Sequence, residues 1–202
     1  RFHERNGSLP PLSCRPELIN WAFDFLAEHV APAIPIVVHL RRNTRDPHRN
    51  SALDVWRGFF SHFSPGGPYR FVIIGMKEEI VPEFRDFPHL LFSKDHDTSL
   101  EQDLALIQLS HLGLYQASGM MAFAWFCGRP SLTFGIDPAH VHFGHALPTG
   151  GSYDFLTNNQ RLFWGASSSQ DIVREFERLA RDLSSEGWQN PEKRRVVEKA
   201  LF

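Results

Sequence analysis

Ile34-Pro35-Ile36-Val37-Val38-His39-Leu40-Arg41-Arg42-Asn43 is an apolar run that ends abruptly in charge. Ile36, Val37 and Val38 read as a strand buried on both faces, because no polar residue alternates with them. His39, Arg41 and Arg42 then fall where that strand leaves its sheet. In open α/β sheets the crevice beyond the carboxyl ends of the strands is where ligands bind. Arginines placed there are costly unless an anion meets them, and the guanidinium fork suits phosphate and carboxylate better than an ammonium does. The stretch therefore predicts a phosphate-bearing ligand at the C-terminal edge of a parallel sheet.

The same pattern repeats outward. Residues 1–13 are polar, with Gly7, Pro10 and Pro11, and read as a linker or entry segment; 14–202 read as one domain. A helix is expected from Ser13 or Cys14 with Pro16 in its first turn, showing Leu18, Ile19, Ala22, Phe23, Leu26 and Val30 on one face. After the strand at 34–40 come a polar loop at 43–51 and a helix at 52–63. A strand at 71–75 follows, whose Gly75 opens the next loop, and then a short helix at 77–85 and a strand at 90–92. Further on are a helix at 99–110 capped by Thr98 or Ser99, a strand at 112–116, a helix at 119–127 and a strand at 131–135. Residues 136–160 are irregular, 162–164 read as a last strand, and Ser168 or Ser169 caps a helix running to about Leu183. A polar helix is expected at about 191–201. Strand and helix alternate throughout, and the strands are short continuous apolar runs, so the fold class is α/β: a doubly wound, Rossmann-like parallel sheet.

Composition narrows the function. The chain has 202 residues, 42% apolar and 22% charged, enough for a sizeable core. A net charge of −2 disfavours a general nucleic-acid coat but leaves room for a local basic pocket. No apolar run is long enough to span a membrane. The 18 phenylalanines point to an aromatic core. Cys14 and Cys127 form no CxxC pair; Cys127 reads as a buried thiol, and a disulfide between the two is left open. The chain starts at Arg1 without an initiator Met or an apolar leader, so it is expected to be a piece of a longer protein. A bacterial cytoplasm and a secretory-pathway lumen are both compatible with it.

There is no GxGxxG after a strand, no GxxxxGK[ST] and no GxSxG. Phosphate would have to be held by arginines, hydroxyls and a helix start. Such a start is offered by Asp103-Leu-Ala-Leu-Ile-Gln-Leu-Ser-His-Leu-Gly-Leu-Tyr-Gln-Ala-Ser118-Gly119, where a helix leads to a strand and the strand ends in Ala117-Ser118-Gly119 opening an apolar helix. Amides at a helix start favour an anion, Gly119 allows close backbone approach and Ser118 adds a hydroxyl, although a plain N-cap serine reads the same way. Asp95, His96 and Asp97 follow a strand end and suit either a ribose or base contact or a solvated turn. His140, His142 and His145 lie in a loop without cysteine or clustered acid, so no metal is expected. In the same region Phe143 or Tyr153 offers a ring for stacking on a base.

Taken together, the two stretches resemble the C-terminal, nucleotide-sugar-binding half of GT-B glycosyltransferases, nearest the fucosyltransferase-like group with its H-x-R-R element. The likeness covers roughly residues 15–182 and rests on His39-Leu40-Arg41-Arg42, Asp103-Leu104, and Ser110-His111 through Ser118-Gly119 to Gly128-Arg129-Pro130. The loop Asn43–Asn50 has no counterpart in that pattern. The resemblance implies an inverting, metal-independent transferase using a nucleoside-diphosphate sugar such as GDP-fucose as donor substrate, with no cofactor. Arg41 and Arg42 would clamp the diphosphate, with Arg42 catalytic through the charge it meets, and His39 would stand beside them. Asp103 would contact base or ribose, Ser118 and Gly119 a phosphate, and Gly75 and Asp97 would border the donor. The partners implied are a glycan, lipid or protein acceptor and a second, N-terminal Rossmann-like domain. The base for the acceptor hydroxyl would usually come from across the cleft, with Asp46 and His48 as local candidates. A sugar-nucleotide epimerase, a heptosyltransferase-type enzyme and a binding module without turnover remain as alternatives.

Overall fold

A computed structural model describes residues 10–137 and 147–185. Among these residues six strands form one parallel sheet: β1 (Ile34–His39), β2 (Tyr69–Ile74), β3 (Leu90–Phe92), β4 (Leu112–Gln116), β5 (Ser131–Ile136) and β6 (Gln160–Trp164). Their order is β3-β2-β1-β4-β5-β6, with every neighbouring pair parallel. Among the described residues five α-helices accompany them: α1 (Pro16–His29), α2 (Leu53–Ser61), α3 (Leu100–Leu109), α4 (Gly119–Phe126) and α5 (Ser169–Ser185).

Strand alternation sends successive side chains to opposite faces, and helices meet them on both. Ile36, Val38, Phe71, Ile73, Leu112 and Leu114 pack with Trp56, Phe59 and Phe60 of α2 and with Phe176 and Leu179 of α5. Val37, Val72, Ile74 and Tyr115 pack on the other face with α1, α3 and α4, through Phe25, Leu106 and Trp125. The aromatic side chains cluster on the first face, where Phe59, Phe60, Phe63, Phe71 and Phe176 meet mostly edge-on, the arrangement ring quadrupoles favour.

Several boundaries differ from expectation for local reasons. The helix expected at 77–85 is two separate 3-10 turns, Lys77–Glu79 and Pro82–Asp86, because Pro82 has no amide to continue a ladder. The loop at 43–51 holds a 3-10 turn, Pro47–Arg49. Helix α1 is capped at Arg15 with Pro16 in its first turn, later than Ser13 or Cys14. The Cys14 amide instead donates to Gln108 Oε1 at 2.8 Å. Of the expected entry segment, 10–13 is tied to the domain where the Leu12 amide donates to Phe126 O. Ser99 caps α3 reciprocally with Gln102. Cys14 and Cys127 are both free thiols, so the open disulfide is not formed, and burial pushes the Cys127 thiol up to about 12. Residues 1–9, His140, His142, Phe143, His145 and the helix expected at 191–201 lie outside the described residues.

Candidate functional site

The sheet order places a switch point between β1 and β4. From β1 the chain works outward through β2 to β3, then returns to the other side of β1 as β4. The connections that leave β1 and β4 therefore diverge and open a crevice between the two strand ends. One side of it is His39-Leu40-Arg41-Arg42, and the other is Gln116-Ala117-Ser118-Gly119 at the start of α4. The two stretches singled out in the sequence are thus brought together by β1 pairing with β4.

The closest link across the crevice is a hydrogen bond of 3.0 Å between Ser118 Oγ and His39 Nδ1. His39 is only 4% exposed, and its Nε2 lies 3.5 Å from Glu79 Oε2. Glu79 sits in the 3-10 turn after β2 and also accepts from the amides of Met76 at 3.0 Å and Arg42 at 3.4 Å. Burial pushes the Glu79 carboxyl up, but hydrogen bonds from His39 and from the Met76 amide outweigh it and hold the group below the usual carboxylate range. Gly75 makes room for the pair. At φ +130° it turns the chain out of β2, and a Cβ there would stand 2.9 Å from Glu79 Oε2 and 3.2 Å from His39.

The arginines behave differently from the expected side-by-side clamp. Arg41 donates to Asp46 Oδ2 at 2.9 Å, whereas Arg42 is exposed and donates to Ile80 O at 3.2 Å, on the side of the turn after β2. Consecutive residues leaving a strand point apart, so this pair diverges. The partner brought beside Arg41 is Arg49, which reaches Asp46 Oδ2 at 3.3 Å and Ala117 O, one residue before Ser118, at 3.2 Å. His48 Nδ1 lies 3.0 Å from the other oxygen, Asp46 Oδ1. Asp46, the candidate base, therefore has two guanidinium groups on Oδ2 and the His48 imidazole beside Oδ1. The loop that carries these groups closes on itself: the Asn43 amide donates to Asn50 Oδ1 at 2.7 Å, Asn50 Nδ2 donates to Asn43 O at 3.1 Å, and the Ser51 amide donates to Arg41 O at 3.0 Å.

Asp103 and Asp97 lie elsewhere. Asp103 is 1% exposed beneath the crevice, where its oxygens meet Lys94 Nζ at 2.8 Å, Thr98 Oγ1 at 2.8 Å and the Gly75 amide at 3.2 Å. It ties α3 to the ends of β2 and β3 and offers no face to a base or ribose. Asp97 ends the 3-10 turn after the edge strand β3 in a left-handed conformation, exposed and paired with Lys77 at 2.7 Å. Among the described residues, nothing lies within 4 Å of where a Gly119 Cβ would be, which leaves the start of α4 open to that extent. Ser118 precedes α4 but its side chain caps no amide.

Beside the crevice, beyond β4 and β5, is a cleft of about 330 Å³ lined by His48, Asn50, Trp56, Gln116, Asp137 and Ser167. Gly135, at φ +68°, lets the Gln116 amide lie across its backbone there. Tyr153 stacks on Phe155 and meets Trp125, in a hollow it shares with Arg49. Among the described residues no group of three or more His, Cys, Asp or Glu could hold a metal, and no helix is long and apolar enough to cross a membrane.

Sequence reasoning missed Arg49 and Glu79. Both lie in polar 3-10 turns, where no periodicity marks a side chain as inward. The only available signal was the density of Arg and Asp within 41–49.

No protein-family model and no curated protein matches the sequence. Solved structures match the fold. A glycosyl transferase family 9 protein from Veillonella parvula is 15% identical with a TM-score of 0.64, over 86% of this chain and 55% of that one. E. coli ADP-heptose lps heptosyltransferase II is 15% identical with a TM-score of 0.57, over 84% of this chain and 53% of that one. E. coli heptosyltransferase WaaC with ADP-2-deoxy-2-fluoro heptose is 17% identical with a TM-score of 0.54, over 88% and 53%. The chain spans about half the length of these structures. Its fold is the Rossmann-like α/β fold found in GT-B proteins, and these neighbours support that architecture without supporting the fucosyltransferase-like group.

Proposed function

We propose that this chain is the donor-binding half of a GT-B glycosyltransferase that takes a nucleoside-diphosphate sugar, closer to the heptosyltransferase type than to the fucosyltransferase-like group. The observation that carries the reading is the convergence at the β1–β4 switch point of Arg41 and Arg49, held by Asp46, with the open start of α4 at Ser118-Gly119. The heptosyltransferase preference rests on the fold neighbours alone. GDP-fucose as donor has no support from them.

In this reading the diphosphate lies over the start of α4, with Arg49 and Arg41 beside it and Arg42 at its outer edge. The anomeric C–O bond breaks while negative charge grows on the leaving diphosphate. Fixed guanidinium groups and helix-start amides aimed at that charge stabilise the transition state more than the ground state. Asp46 serves as the organiser of the arginines rather than as the base, since its Oδ2 is already held between Arg41 and Arg49. The acceptor, a glycan, lipid or protein, and the base that deprotonates it belong to a second Rossmann-like domain across the cleft. Inversion and independence of metal are what the GT-B resemblance implies, and the arginines would supply charge to the leaving diphosphate.

Titration calorimetry with ADP, GDP, UDP and CMP tests this. One nucleoside diphosphate is expected to bind, and Arg49→Ala to weaken it about 10- to 150-fold, the worth of one hydrogen-bonded charge. The thermal melt of the variant should stay close to that of the parent. Absence of binding by every nucleotide in the set, or unchanged affinity in Arg49→Ala, overturns the site.

A further inference from the structure

We infer that His39 is a proton-operated switch for the phosphate site: doubly protonated, it frees the Ser118 hydroxyl to donate to a bound diphosphate, and singly protonated, it takes that hydroxyl hydrogen for itself. This rests on the diphosphate reading above and adds its regulation by pH.

Three side chains stand in line across the crevice. Glu79, His39 and Ser118 come from the turn after β2, the end of β1 and the end of β4, and only the sheet order aligns them. An ionised carboxylate can only accept, so the His39 Nε2 facing Glu79 carries a hydrogen in either state. That settles the neutral tautomer. With Nε2 protonated, Nδ1 is bare and must accept, and among the described residues the donor facing it is the Ser118 hydroxyl at 3.0 Å. The serine then presents lone pairs to the crevice, which repel an anion. A second proton on the ring reverses the bond: Nδ1–H donates to Ser118 Oγ, and the hydroxyl hydrogen is released to point outward. The imidazolium would be held by the Glu79 carboxylate, whose burial is outweighed by hydrogen bonds from His39 itself and from the Met76 and Arg42 amides.

A second observation fits the switch. Ser118 stands immediately before α4, yet its side chain caps no amide of that helix. The hydroxyl is turned to His39 instead of to the helix-start amides, and among the described residues nothing fills the space at Gly119. A serine present only to cap would face the other way.

The charges around His39 have been placed on every side. Glu79 faces it from the turn after β2, and Asp103 of α3 lies behind Gly75 with Lys94 against it. Arg41 and Arg42 follow it on its own segment, Arg49 reaches in from the 43–51 loop to Ala117, and α4 brings no acid in its first turn. On β4 its register partner is Tyr115, a fully buried phenol whose pKa burial pushes well up. The nearest carboxylate is thus Glu79, and the incoming diphosphate is the second anion to meet the ring through Ser118. In the switch, binding takes one proton from solvent onto His39 Nδ1 as the Ser118 hydroxyl turns to the ligand, with no covalent change.

The test is calorimetry with inorganic pyrophosphate and with the nucleoside diphosphate that binds best, at about pH 5.5 to 8.5, a span that brackets ordinary histidine titration. Each pH is run in two buffers of different ionisation enthalpy, so that proton uptake is read directly. Wild type should lose affinity toward about tenfold per pH unit at the alkaline end, the limit for one linked proton. Ser118→Ala removes the relay while leaving buried His39 and Glu79 in place. It should bind more weakly at low pH, show a flattened profile and take up less proton than wild type. Equal pH slopes and equal proton uptake in wild type and Ser118→Ala would overturn the switch while leaving the diphosphate site standing. Failure of either ligand to bind at any pH would remove the functional reading, and the switch with it.

Discussion

Asp103 shows how a residue's environment reassigns its role. By sequence it resembles a nucleotide-binding acid on a helix; in the fold it is a buried carboxylate with Lys94, Thr98 and the Gly75 amide on its oxygens. Removing one member of a buried pair leaves the other charge without compensation, at a cost of about 3–5 kcal/mol. Asp103→Asn should therefore lower stability by about that amount in urea unfolding, and alter nucleotide affinity in the surviving folded protein far less than Arg49→Ala does. The reverse result, a stable protein that has lost its nucleotide, would return Asp103 to the ligand. Glu79 makes the opposite case: a glutamate in a polar turn that no pattern marks becomes the partner of a buried histidine because β2 lies beside β1.

Among the elements, the pairing of α2 with α5 is set by a glycine. Gly58 lies within α2 where a Cβ would collide with Ser169 Oγ and come to 2.9 Å from Ser169 Cβ, while that hydroxyl donates to Val55 O at 2.8 Å. In an isolated helix Gly→Ala stabilises by about 1 kcal/mol. Here Gly58→Ala should give no gain, and Gly58→Val should cost about 1–3 kcal/mol by forcing α5 outward. Thermal melts of the two variants check this, and a clear rise in Tm for Gly58→Ala would show that the helices have room to part. Most elements were legible because their apolar spacing is regular: the continuous runs at Val37 and Val72, and the helical repeat of Ile172, Phe176, Leu179 and Leu183 on α5. The turns at 47–49 and 77–79 were not, because short polar 3-10 segments carry no period, and they hold Arg49 and Glu79.

Across the whole molecule, one sheet separates two cores, and the aromatic one joins α2, α5 and the sheet through Phe176, which is fully buried against Phe59, Phe63 and Tyr69. Phe176→Ala should cost about 3–5 kcal/mol in chemical unfolding, the range for a large ring removed from a tight core. A loss below about 1 kcal/mol would mean that this core repacks freely. The amino-acid sequence by itself determined the α/β class, the parallel sheet with covered faces, and the two strand ends that matter, His39-Arg42 and Ser118-Gly119. It could do so because burial on both faces leaves continuous apolar runs, and a charge or a glycine after such a run marks where the strand emerges. Only the tertiary structure decided that β4 returns beside β1, that Arg49 rather than Arg42 stands with Arg41, and that Glu79, His39 and Ser118 line up. Glu79, His39 and Ser118 lie tens of positions apart and are aligned by strand order, while the two arginines meet on Asp46 through closure of one loop; no local pattern encodes either.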